Sequence, residues 1–230
     1  VRGRAAAAGG LVGAVLVLAG CAVPVARSAA AVAPAAPTAD PLRVVVVGDS
    51  ITEMSCPDFD AGVLARDSWT WWATGQGVHV LGGWAHAGAT TEDMLAGVAA
   101  EPPADADVLV LMAGNNDIDW DVPTQQVLDQ LVQIADAVGI PRVVLSAVAP
   151  EDGLGAETLA MDDALARLAD EEGWQYVDPM GGIRDDDGDY RDGATLDGVH
   201  PTEEASVAVG RALREALLDP ADVVPAGQTR

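Results

Sequence analysis

From Leu42 onward, short apolar runs rich in β-branched residues alternate with longer stretches whose apolar residues recur three and four apart. Leu42–Val47 is such a run, ended by Gly48, and reads as a strand buried on both faces. Val78–Leu81 predicts a second strand, and Val108–Met112, ended by Ala113-Gly114, a third. Pro141 opens a fourth at Arg142–Val148. Gln175–Val177 is a fifth, closed by Asp178-Pro179.

Helical spacing fills the intervals. Ser68 can cap a helix carrying Trp69 and Trp72 on one face. Thr91 can cap Glu92–Ala100. After Thr124, residues Val127, Leu128, Leu131, Ile134, Ala135 and Val138 follow an i, i+3, i+4, i+7 series that Gly139 ends before Pro141. Residues 157–172 repeat the pattern with Leu159, Leu165 and Leu168. The last helix spans about Thr202 to Leu218, with Glu203-Glu204 in its first turn and Arg211 and Arg214 later, an order that suits the helix dipole. Strand and helix alternating five times predict an α/β fold: a flavodoxin-like three-layer α/β/α sandwich with a five-stranded parallel sheet. In such a sheet a site is expected at the carboxyl ends of the strands, near the switch in strand order. No internal repeat is visible.

The first forty residues are of another kind. No acidic residue precedes Asp40, Arg2 and Arg4 make a positive start, and Ala5–Ala19 contains only Ala, Gly, Val and Leu. That stretch is short for a membrane span and fits a signal-peptide core. Leu18-Ala19-Gly20-Cys21 resembles the bacterial lipobox, whose Cys is lipidated and becomes the mature N-terminus. An ordinary signal cut near Ala29-Ala30 is the alternative. The expected organisation is a signal peptide over 1–20, a lipidated Cys21 with an Ala/Pro-rich tether over 21–41, a folded domain over 42–219 and a tail over 220–230. Both readings export the protein, and the only membrane contact expected is a lipid anchor on Cys21.

Charge narrows the partners. All 12 basic residues are Arg, against 36 acidic ones, for a net charge of −24. Such a surface repels nucleic acid and anionic head groups. It sets no fold and no oligomeric state. With Cys21 lipidated, Cys56 stands alone, which leaves no internal disulfide and no cysteine metal site; it is expected to pack near the site described next. Asp185-Asp186-Asp187-Gly188-Asp189 has calcium-loop composition without EF-hand spacing, and reads as a solvated acidic loop.

Four short motifs fall at strand ends or before helices: Gly48-Asp49-Ser50-Ile51, Gly88 in His86-Ala87-Gly88-Ala89-Thr90-Thr91, Gly114-Asn115-Asn116-Asp117, and Asp197-Gly198-Val199-His200-Pro201. A serine hydroxyl is a weak nucleophile at neutral pH and needs a base within hydrogen-bond reach. His200 can be that base, and Asp197, three residues earlier, can orient its ring; the plainer role for Asp197 is a turn residue or cap. In order and separation the four motifs resemble the blocks of the SGNH/GDSL hydrolases, over about Leu42 to Leu218. The resemblance implies Ser50 as nucleophile in a triad with His200 and Asp197. It also implies an oxyanion hole from the Ser50 and Gly88 backbone N–H groups and the Asn116 side-chain amide. No metal or cofactor is implied, and the expected partner is a small-molecule or polysaccharide ester. Where the second block often carries Asn five residues before its Gly, this chain has Gly83. His79 is expected to be structural, and His86 either structural or pocket-lining. Trp84 and Trp120 are expected either to line a pocket or to pack in the core. Two other uses of the fold stay open here: a non-catalytic carbohydrate-binding or envelope-scaffold protein, and an acyltransferase using the same serine.

Overall fold

The computed structural model describes residues 40–219. The expected signal peptide, Cys21, the tether up to residue 39 and the tail lie outside the described residues. Among the described residues, five parallel strands form one sheet. They are β1 (Leu42–Gly48), β2 (Val78–Ala85), β3 (Val108–Met112), β4 (Val143–Ser146) and β5 (Gln175–Val177), in the order β2-β1-β3-β4-β5. Between and after them run α1 (Ser50–Glu53), α2 (Trp69–Ala73), α3 (Thr91–Ala100), α4 (Asn115–Asp119), α5 (Thr124–Val138), α6 (Gly155–Glu172) and α7 (Glu203–Leu218).

The strand period of two sorts β1 between two cores. Val44 and Val46 pack with Trp69 and Ala73 of α2 and with Val209, Leu213 and Leu217 of α7. Val45 and Val47 pack with Met94 and Val98 of α3, Leu131 and Ile134 of α5, and Leu165 and Leu168 of α6. All these side chains are buried, and each Val, Leu, Ile and Met among them contributes about 1.5–3 kcal/mol. This is the expected three-layer α/β/α sandwich. Helix α7 lies close on α2 because Gly210 has no side chain: a Cβ there would stand 2.3 Å from the Trp69 carbonyl oxygen. The chain leaves β1 for β2 on one side and reaches β3 on the other, so a crevice opens at the carboxyl ends of β1 and β3.

The elements depart from the sequence pattern at particular residues. Strand β2 continues past Leu81 to Ala85, because the β1–β2 register shifts between Val44 and Val46 and Gly82-Gly83 absorb the irregularity. Gly83 has φ +149°, and a Cβ on it would lie 2.0 Å from the Val46 carbonyl oxygen. An Asn at this position, which the resemblance implies, therefore has no room here. Strand β4 is shorter than the apolar run, spanning Val143–Ser146. Helix α6 starts at Gly155 rather than 157. The cap of α3 is Thr90, in a capping box with Asp93, while Thr91 turns inward. Two short helices, α1 and α4, are not expected from the spacing.

Candidate active site

Ser50 opens α1 directly after β1. The turn is tight: a Cβ at Gly48 would stand 2.4 Å from Thr52 Oγ1, so only glycine fits. Asp49 caps the helix, its Oδ1 accepting the Ile51 N–H at 2.9 Å. Asp49 is buried, and burial pushes its carboxyl up to about 7.

His200 and Asp197 arrive from the loop before α7. His200 Nε2 lies 3.0 Å from Ser50 Oγ, and His200 Nδ1 lies 2.9 Å from Asp197 Oδ2. Asp197 Oδ1 accepts the backbone N–H groups of Val199 at 3.0 Å and His200 at 2.8 Å. Those N–H groups, and the His200 ring, hold the Asp197 carboxyl well below the usual carboxylate range. An anionic Asp197 favours the tautomer with the proton on Nδ1, leaving Nε2 as an acceptor facing Ser50.

Two more of the expected residues meet at the same end of the sheet. Gly88 follows β2 with φ +78°, a backbone state suited to glycine, and open space lies where its Cβ would be. Asn116 sits in α4, after β3, and its Nδ2 donates to the Ala89 carbonyl at 3.0 Å, which brings the amide beside Gly88. Among the described residues, no protein acceptor takes the N–H of Ser50 or of Gly88. Asn115 has a different job: its Nδ2 donates to the Ala149 carbonyl at 2.9 Å and its Oδ1 accepts the Ala149 N–H at 3.2 Å. Asp117 faces Thr91, with Oδ1 2.7 Å from its Oγ1 and Oδ2 accepting its N–H at 3.1 Å, which ties α4 to α3.

The competing residues stand apart. His79 is exposed on β2. His86 pairs with Asp60 at 3.2 Å and meets Trp84 edge-on. It lines a cavity of about 200 Å³ with Glu53, Cys56, Phe59 and Asp60. Trp84 packs on α3, filling the space over Gly97 that a Cβ would occupy. Trp120, at the end of α4, is 74% exposed. Cys56 is half-buried, its sulfur 3.2 Å from the Ala65 N–H, and burial pushes its thiol up, away from nucleophilic use. The 185–189 loop is more than a solvated acidic run. Asp189 Oδ1 accepts the N–H groups of Gly153 and Gly155, and Gly188 packs against Gly155.

The sequence pattern did not single out Glu151, Asp152 or Tyr190. Glu151 is buried at the end of the β4 arm, where burial and then Asp119 push its carboxyl up to about 7. Asp152 and Tyr190 bond the His200 loop. None falls within the four motifs. The one available signal was an isolated Tyr shortly before the Asp-x-x-His block.

Together these residues offer a hydroxyl, a base in hydrogen-bond contact with it, an anion behind the base, and N–H donors beside the hydroxyl. This set can form and break an acyl–oxygen bond. The model of the GDSL-like lipase/acylhydrolase family matches residues 46–207. No curated protein matches the sequence. Among solved structures, a G-D-S-L family protein from Desulfitobacterium hafniense superposes with TM-score 0.61 at 20% identity, covering 76% of this chain and 99% of that one. A carbohydrate acetylesterase from Sinorhizobium meliloti gives 0.56 at 19%, covering 76% and 98%. An aryl esterase from M. smegmatis gives 0.56 at 20%, also covering 76% and 98%. At these identities the structural likeness is one of fold.

Proposed function

The chain belongs to the GDSL-like lipase/acylhydrolase family, and on that premise we propose that it hydrolyses carboxylic esters through an acyl-enzyme on Ser50. The observation that carries the reading is the hydrogen-bonded chain from Asp197 through His200 to Ser50, at 2.9 and 3.0 Å.

Ser50 Oγ attacks the ester carbonyl carbon while its proton passes to His200 Nε2. The carbonyl oxygen becomes an oxyanion facing the Ser50 N–H, the Gly88 N–H and the Asn116 amide. One such donor is worth roughly 3–4 kcal/mol in the transition state. The C–O bond to the alcohol then breaks, and the alcohol leaves with the proton from His200. Water attacks the acyl-enzyme with the same base, releasing the carboxylic acid and restoring Ser50. Asp197 stays anionic throughout and stabilises the imidazolium. The substrate is a small-molecule or polysaccharide ester. No residue of this cycle needs a metal. The non-catalytic reading has less support, because the full hydrogen-bonded set is in place.

The signal-peptide pattern and the Leu18–Cys21 lipobox support an exported protein anchored through lipid on Cys21 and acting on substrates outside the cytoplasm. A single acyl chain holds a protein only marginally, so two or three are expected on that Cys.

The test of the hydrolase reading is a fluorophosphonate probe with a panel of p-nitrophenyl esters and acetylated xylan. The wild type is labelled once, at Ser50, and Ser50→Ala hydrolyses nothing. Labelling at another serine, or activity surviving in Ser50→Ala, rejects the assignment. A polyol acceptor in the same assay separates hydrolysis from acyl transfer.

A further inference from the structure

Asp197 and His200 share a turn closed by local hydrogen bonds. All three bonds between Asp197 and Val199 or His200 stay within four consecutive residues. They fix the ring against the carboxylate but do not aim the turn at Ser50, which belongs to a strand end 150 residues away. Something outside the turn must set that aim.

Thr195, just before it in the chain, braces it locally, its Oγ1 donating to the His200 carbonyl at 2.8 Å and accepting the Gly198 N–H at 3.0 Å. Two contacts come from farther away. The Tyr190 hydroxyl donates to the Val199 carbonyl at 2.9 Å, one residue before His200. The Asp152 N–H donates to the Gly198 carbonyl at 2.8 Å. These two residues are themselves joined, since Asp152 Oδ1 accepts the Tyr190 N–H at 3.1 Å. Gly198 has φ +85°, and a Cβ there would meet the Asp152 side chain at 3.2 Å, so the two loops touch. Asp152 in turn belongs to the arm after β4, which Asn115 pins to α4 through Ala149. A continuous bonded path thus runs from the helix that carries Asn116, through Asp152 and Tyr190, to the backbone of His200.

Tyr190 suits the role. It is 6% exposed, its ring lies in the core beneath α7, and its hydroxyl is the only polar group on the side chain. A buried hydroxyl is kept where it has a partner, and here the partner is the loop of the base. Burial and nearby carboxylates push the phenol up, so it remains a donor at any working pH.

We propose that Tyr190, held by Asp152, is a positioning residue that aims the Asp197–His200 turn at Ser50. This rests on the hydrolase reading for its kinetic arm alone. A misplacement of about 1 Å can lower a rate by up to about 100-fold, and one lost bond from a loop that keeps its other ties costs part of that.

The test is Tyr190→Phe, with Asp152→Ala and Asp152→Asn beside it. Tyr190→Phe is expected to lower kcat roughly tenfold per folded molecule, with KM changed less than about twofold. The midpoint of its pH–rate profile stays where the wild type has it, because Asp197 and His200 move together. Asp152→Ala lowers kcat likewise, and Asp152→Asn, which keeps the Oδ1 acceptor, restores it. A purely structural Tyr190 would lower the melting temperature and leave kcat per folded molecule unchanged. That result overturns the proposal, and so does a pH midpoint that moves as it does in Asp197→Asn. A crystal structure of Tyr190→Phe gives a reading independent of turnover. His200 Nε2 should leave hydrogen-bond reach of Ser50 Oγ with the Asp197–His200 contact intact, and an unmoved ring overturns the proposal. If the wild type hydrolyses no ester and takes no fluorophosphonate, the hydrolase reading fails, and the crystal structure alone decides this one.

Discussion

Asp197 holds His200 twice, once through the ring, with Oδ2 2.9 Å from Nδ1, and once through the backbone, with Oδ1 2.8 Å from the N–H. The second bond is that of a turn residue, and the first is the contact that an orienter of the base would make. The geometry leaves room for both roles that the sequence left as alternatives, one on each oxygen. The carboxyl is itself 57% exposed, so its low proton affinity comes from these donors rather than from a buried ion pair.

Asp197→Asn separates the two roles. Asn keeps an oxygen for the backbone N–H groups, so the turn survives and the melting temperature stays within a few degrees of the wild type. The anionic charge that favours the imidazolium is gone. The rate should fall by orders of magnitude, and the rising limb of the pH–rate profile should move to lower pH. Initial rates on p-nitrophenyl acetate between pH 4 and 9 measure both. An unchanged rate and an unchanged profile would leave Asp197 a turn residue only.

Among the three histidines the expected order of loss is steep. His200→Ala should be nearly inactive. His86→Ala should keep most of its turnover on a small ester, although His86 also faces a carboxylate, Asp60, at 3.2 Å. That pair resembles a base and its orienter in distance, but Ser50 Oγ is in contact with His200. His79→Ala, exposed on β2, should behave as wild type. Parallel kcat measurements with circular dichroism spectra decide the order, and a loss in His86→Ala equal to that in His200→Ala would contradict the assignment.

Much of this could be read from the chain because local chemistry dictated it. Val44 to Val47 are β-branched and apolar on both faces, which only a central strand satisfies, and Ser68 did cap the helix of Trp69. Ser50, Gly88, Asn116 and His200 sit in short motifs whose residue types state their chemistry. What stayed hidden depends on distant backbone. Strand β2 reads as ending at Leu81 because glycine weakens a strand pattern, yet Gly82 and Gly83 are there to clear Phe59 and Val46 on other elements. Thr91 was expected as a cap because nothing local reveals Asp117, 26 residues later, waiting for its hydroxyl. Tyr190 and Asp152 carry no motif; their partners are backbone groups, which have no residue identity.

Gly83→Asn tests the reading of the β1–β2 irregularity. The substitution introduces the residue type that the family resemblance implies at that place, and the resemblance alone expects tolerance. The local geometry expects the opposite. The new Cβ meets the Val46 carbonyl oxygen at 2.0 Å, and φ of +149° is a backbone state that side chains rarely adopt. The strand must shift, at a cost of about 2–4 kcal/mol. A fall in the urea midpoint with an unchanged slope would show it, and an unaltered midpoint would refute it.

Asp49 should make the protein less stable as pH rises through the mildly acidic range. In the folded chain burial raises its carboxyl to about 7, while in the unfolded chain it titrates near about 4. The folded state therefore binds more protons between these values, and stability falls as pH climbs from about 4 to about 7. Each unit of difference is worth about 1.4 kcal/mol, so this one group can remove a few kcal/mol across the window. Glu151, also raised to about 7, adds a slope of the same sign. Asp49→Asn keeps an oxygen for the Ile51 N–H and carries no charge to bury. Its stability curve should run flatter over that window, and it should exceed the wild type above pH 7. Urea unfolding of both proteins at pH 5 and pH 8 measures the difference. Parallel curves would mean that Asp49 ionises in the folded state as readily as in the unfolded one. Its buried Oδ2, which has no hydrogen-bond partner among the described residues, would then need water reaching beneath the Ser50 turn.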